Sequence, residues 1–163
     1  MLSKGKYANP DAIAAWIINN VDRDAGESIT HLKLQKLLYY MEAWYLANFD
    51  RPLFKENFEA WAHGPVCREV YVKYKGKSWE ALGPVKAMPI PDGLNDFLVA
   101  VYDEYGQFSA KKLEKMSHEE DPWKKTRGSL SAEARCDDPI SKLLMRNYYA
   151  KRLGKKEIKK LSN

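Results

Sequence analysis

Residues 31–45 read His31-Leu32-Lys33-Leu34-Gln35-Lys36-Leu37-Leu38-Tyr39-Tyr40-Met41-Glu42-Ala43-Trp44-Tyr45, and this stretch decides the fold. At about 100° per residue, Leu34, Leu37, Leu38, Tyr40, Met41, Trp44 and Tyr45 form one apolar arc nearly half a turn wide. A surface helix needs a stripe of only about 100°. Leu32, Ala43 and Ala47 add greasy or small groups on one flank, so little of the helix is left for water. The segment, about 30–47, therefore predicts the central buried helix of a small domain. Gln35, Lys36 and Glu42 are then polar groups taken inside, each costly unless hydrogen-bonded.

Outward from this helix the pattern stays helical. Asn9 and Pro10 suit an N-cap and first position, with Ile13, Trp16, Ile17 and Val21 at helical spacing and an end expected near Asp24–Gly26. Ser28 or Thr30 opens the central helix, which stops before Pro52. Phe54, Phe58, Ala60 and Ala62 alternate with polar residues, which predicts a short strand. Gly64-Pro65 breaks it and starts a helix through Val70, Tyr71 and Tyr74. The Gly/Pro-rich stretch 76–93 reads as loop, with a second short strand at Val85–Ile90. Asp92 is placed to cap a helix ending at Gly106, and Ser109 one ending near Ser117. A further helix covers Trp123–Gly128, and a last one starts at Asp138-Pro139 with Ile140, Leu143, Leu144, Asn147 and Tyr148 inward. The class is mainly α with a small β element (α+β), a compact single-domain helical bundle.

Composition narrows the function classes. With 163 residues, 45% hydrophobic, the chain is long enough for one core, and its twenty aromatic residues supply bulk. No run approaches the roughly 20 apolar residues of a membrane span, and the first residues lack a signal core, so a cytoplasmic protein is expected. Cys67 and Cys136 are far apart with no partner motif, which favours reduced thiols. The net charge of +5 sits in the last thirteen residues, where Lys151, Arg152, Lys155, Lys156, Lys159 and Lys160 face only Glu157. Residues 1–100 balance 12 basic against 12 acidic. The expected organisation is a domain over 1–154 and a basic tail over 155–163. Nucleic acid is not the expected partner except through that tail, and the tail is read as solvated.

The chemistry-bearing residues are few. His63 and Cys67, joined by His118 and Cys136, would make a zinc-type set, but Gly64-Pro65 breaks the helix that would align the first pair. Cys67 with His63 or His118 as base matches no local thiol-protease signature. No phosphate loop or dinucleotide fingerprint appears, and no basic recognition helix. Neither a metal, a cofactor nor a catalytic set is expected. His118, ahead of Glu119-Glu120-Asp121-Pro122-Trp123, reads first as a helix-ending histidine tying a turn together over Trp123. The alternative is a recognition corner whose carboxylates raise its pKa.

The motif Lys33-Leu34-Gln35-Lys36-Leu37-Leu38-Tyr39-Tyr40, with Trp44-Tyr45-Leu46-Ala47, resembles the Panacea domain of SocA-type antitoxins and phage-associated GepA-like proteins. Two further landmarks follow in the family's order. One is Pro52-Leu53-Phe54, then Ala60-Trp61, Gly64-Pro65-Val66 and Tyr71. The other is Leu113-Glu114-Lys115-Met116-Ser117-His118, then Pro122-Trp123. Cys67-Arg68 departs from the family's usual apolar residue and proline. The resemblance implies a non-enzymatic antitoxin that neutralises a protein toxin encoded nearby, with a ClpXP-type protease as a further partner if it is an adaptor. Trp61, His63, Tyr71, Tyr74, His118 and Trp123 are the expected partner-binding residues. Gln35, Lys36, Tyr39, Tyr40, Gly64, Pro65, Val66 and Pro122 are the expected structural motif. The alternative is a mobile-element or phage-associated enzyme or nucleic-acid-associated protein.

Overall fold

A computed structural model describes residues 6–77 and 79–153. The expected tail at 155–163 lies outside the described residues. Among them the elements run α1 (Pro10–Asn19), α2 (His31–Phe49), β1 (Glu59–Trp61), β2 (Gly64–Val66), α3 (Arg68–Tyr74), α4 (Asn95–Tyr105), α5 (Ala110–Glu119), α6 (Asp121–Arg127) and α7 (Lys142–Ala150). The fold is mainly α with a small two-stranded sheet, as the sequence predicts. Thr30 caps α2 by accepting the Lys33 N–H at 3.3 Å. Asp50 ends it in the left-handed region at φ 58°.

Every residue from Leu34 to Leu46 is buried, polar ones included. The helix is thus wrapped on all sides, by α1, α4, α5, α7 and the hairpin. Each fully buried Leu or aromatic contributes about 1.5–3 kcal/mol, which offsets an ordering cost of about 1–2 kcal/mol per residue. The polar groups carried inside find partners that tie distant segments to α2. Gln35 Oε1 accepts the Cys67 N–H at 2.8 Å, pinning the entry to α3. Glu42, fully buried, accepts the Leu53 N–H at 2.7 Å and pairs with Lys142 of α7. Tyr40 and Tyr149 donate to Glu120 at 2.8 and 2.7 Å, and Tyr39 donates in turn to Tyr149 at 3.1 Å. Tyr39 and Tyr40 therefore hold α7 and the α5–α6 junction to the central helix.

Several expected boundaries are corrected. Helix α1 ends at Asn19, because Asp22 and Glu27 side chains accept the Ala25 and Asp22 N–H groups and hold that segment in turns. Val85–Ile90 forms no strand. Pro84, Pro89 and Pro91 lack ladder donors, and the Asn19 side chain takes both backbone groups of Val85. Asp92 does not cap α4, whose N-cap is Leu94. Gly64–Val66 is β2 instead of a helix start, paired antiparallel with β1 in the register Trp61↔Gly64 and Glu59↔Val66. Asp138-Pro139 does not begin α7 but lies along the outer edge of β1. There Ala60 donates to Asp138 O at 2.9 Å and Ile140 to Phe58 O at 2.7 Å. Ser141 caps α7 instead, which turns Met145 and Tyr149 inward and leaves Leu143 and Asn147 exposed.

Candidate functional site

The two-residue turn Ala62-His63 of the hairpin stands between two concavities, and the chemistry of the molecule gathers around it. Gly64 makes this corner possible. Its φ of 107° favours glycine, and a Cβ there would lie 2.6 Å from Lys36 Cε and 3.1 Å from Ser117 Oγ. The stem of Lys36 passes through the space that any side chain would fill. Pro65 and Val66 are buried behind it.

The larger concavity is a cleft of about 990 Å³ running along α5, with Leu32 and the exposed Trp79 as apolar walls. Lys36 lies at its floor, 1% exposed, and its amine has no hydrogen-bond partner among the described residues. Burial lowers that amine to about 8, and the Glu114 carboxylate pulls it partly back. His118 faces the same space. Its Nε2 is also buried without a partner. The ring stacks on Trp123 at 3.8 Å with planes 10° apart.

Burial pushes His118 down, reinforced by Lys36 and Arg127 and opposed by Glu114 and a backbone bond with Ala62. The alternative reading, in which Glu119, Glu120 and Asp121 raise its pKa, is not what this corner does, and the ring packed on Trp123 fits the helix-ending histidine read first. Glu120 turns away to receive Tyr40, Tyr149 and Arg152. His63, on the rim, reaches Glu114 at 3.2 Å.

The smaller concavity, about 330 Å³, lies on the other side of the turn between Trp61, Arg68 and residues 133–137. Trp61 is half-buried and held from three directions. It donates to Glu59 at 2.8 Å, meets Tyr71 edge-on at 4.7 Å, and lies under Arg68 at 5.4 Å. Arg68 in turn grips both carboxylate oxygens of Glu59, at 3.0 and 2.7 Å. An aromatic side chain so fixed loses little freedom on binding a partner.

The six expected partner-binding residues thus gather near one corner but divide by exposure. Trp61, His63, Tyr71 and His118 present surface. Trp123, 6% exposed, and Tyr74, 7% exposed, are taken up by packing. Trp123 donates to Trp61 O at 2.8 Å and carries Arg127 over its ring at 4.8 Å. Arg127 Nη1 donates to Ala60 O at 2.8 Å, so it backs the hairpin. Pro122 is buried in the first turn of α6. Lys36, expected in the structural motif, packs its stem against Gly64, and its amine has no hydrogen-bond partner among the described residues. Glu114 and Trp79 were not singled out, although Glu114 and His118 stand four apart on α5, the spacing that puts two side chains on one helix face.

Cys67 is buried, free, and pushed up to about 12 by burial, which removes the thiolate a nucleophile needs. Among the described residues, no group of three His, Cys, Asp or Glu side chains is placed to hold a metal ion. None of their helices is long and apolar enough to cross a membrane.

Against known proteins, the family model described as antitoxin SocA-like, Panacea domain, matches residues 34–124, more than half of the chain. Antitoxin SocA of Caulobacter vibrioides is 29% identical over 133 residues, covering 71% of each chain. No solved structure matches. The matched span begins inside the central helix and ends just past Trp123, so it contains Lys36, the hairpin and all of α5. The chain belongs to the SocA-like antitoxin family and carries its Panacea domain.

Proposed function

We propose that this protein neutralises a toxin encoded beside it by direct, stoichiometric binding in the cytoplasm, without chemistry of its own. Family membership carries the reading. The fixed aromatic corner supports it, because rigid Trp and Tyr side chains at the centre of a contact supply much of its binding energy. In this reading Trp61, Tyr71, His63 and His118 form the binding face, and Trp123 and Tyr74 brace it from beneath. Handing the bound toxin to a ClpXP-type protease is the finer form of the same function, inferred from likeness to SocA-type antitoxins.

Co-expression with the neighbouring reading frame tests it. Trp61→Ala combined with Tyr71→Ala should abolish protection while circular dichroism stays that of the wild type. Each anchor is worth about 2 kcal/mol, roughly 30-fold in affinity. Full protection by the folded double variant would remove this corner from the interface. Toxin levels that fall only in cells with the protease would mark an adaptor.

One observation favours a second reading, an enzyme: at the cleft the Lys36 amine is buried without a hydrogen-bond partner among the described residues and held to about 8, the state in which a lysine acts as a nucleophile. Protection by substoichiometric protein without any protease would decide for it.

A further inference from the structure

Buried cations in folded proteins are paired, hydrogen-bonded or neutral. Lys36 is none of these fully. It lies at the floor of an open cleft, 1% exposed, with three N–H donors and no acceptor among the described residues. His118 lines the same cleft, and its Nε2 is a second buried nitrogen without a hydrogen-bond partner among the described residues. The carboxylate whose charge acts on Lys36, Glu114, is engaged with His63 on the rim. The floor of the cleft is thus short of one negative group.

The cleft also has a shape and a charge. It is lined from Ser109 to Glu119, the whole of α5, which at about 1.5 Å per residue is roughly 15 Å. That length takes about four or five residues of extended chain. Its lining carries four lysines, Lys36, Lys111, Lys112 and Lys115, against Glu114 and Glu119. Leu32 and Trp79 give it apolar walls. A mononucleotide would leave most of such a groove empty and bring two charges to a floor with one buried cation.

We infer that this groove binds an extended acidic segment of the partner protein, one carboxylate seated on Lys36 and His118 and an apolar neighbour against Leu32 and Trp79. The inference rests on the binding reading above and names the chemistry of the partner. It also accounts for Gly64, whose missing side chain lets the lysine stem reach the floor.

The test needs no toxin, so its outcome is separate from whether the chain neutralises one. The full chain is titrated into a fluorescein-labelled peptide alternating glutamate and leucine, about six residues long, and into its glutamine counterpart. Fluorescence polarisation should show binding of the acidic peptide alone. Lys36→Met should weaken it on the order of 10- to 100-fold, the loss of one charged hydrogen-bond partner. Binding unchanged in Lys36→Met would mean a loose attraction to the rim lysines and would overturn the inference. So would adenosine monophosphate or inorganic phosphate binding at Lys36 where the peptide does not. A second measurement leaves the protein native: the acidic peptide should raise its melting temperature and the glutamine peptide should not, and equal shifts for the two would count against the site.

Discussion

Lys36→Met should raise the thermal stability of the protein, an unusual result for a fully buried position. Folding takes the Lys36 amine from 10.5 to about 8 by burial, without a hydrogen-bond partner among the described residues. Holding the charged form there costs on the order of 3 kcal/mol at neutral pH. Methionine keeps the unbranched stem beside Gly64 and removes the charge, so about 2–3 kcal/mol should return. For a domain of this size that is about 5–10 °C in Tm.

The pH dependence carries the sign. The folded value lies below the unfolded one, so between about pH 8 and 10.5 the unfolded chain still holds a proton that the folded chain has released. Wild-type stability should therefore climb relative to the variant across that window, and the difference should be constant below it. A Lys36→Met protein that melts lower at every pH would show that the amine has a partner and that the cleft floor is satisfied.

Glu42→Ala should have the largest effect in the opposite direction. Glu42 is fully buried, takes the Leu53 N–H and neutralises Lys142, itself mostly buried. Removing it leaves the Lys142 cation with only the Glu56 carbonyl and takes the acceptor from the Leu53 N–H, which costs about 3–5 kcal/mol. Glu42→Gln should cost less, since an amide oxygen can still receive the Leu53 N–H. Chemical denaturation of both variants checks this order. Equal, small losses for the two would mean that water reaches the pair.

The contrast between these buried residues shows what the sequence could carry. The helical period of residues 31–45 placed Gln35, Lys36 and Glu42 inside a wrapped helix, because an apolar arc that wide leaves little water-facing side for them. It could not tell that Gln35 and Glu42 would meet partners 32 and 100 residues away while Lys36 would not. That distinction depends on where Cys67, Leu53 and Lys142 are brought by the fold. The hairpin was half legible. Alternation marked β1, but Gly64-Pro65 was read as a helix start because a break looks alike from either side. Asp138-Pro139 misled in the same way: the proline suits a first helical turn and equally suits a strand edge where no N–H is required. Of the candidate site, the aromatic and histidine corner was visible through the family's landmarks. The cleft was not, since it is a space between α5, the hairpin and Trp79, and no local pattern encodes a space.

What we propose is neutralisation of the toxin by binding through this face. It is tested most directly by titrating the purified protein against a fixed amount of the purified neighbouring toxin, with no protease present, and following the toxin's activity. Loss of activity should be linear and stop at a fixed whole-number ratio, and Trp61→Ala/Tyr71→Ala should produce none of it. Complete inactivation at a small fraction of one equivalent would contradict the account and make the protein a catalyst.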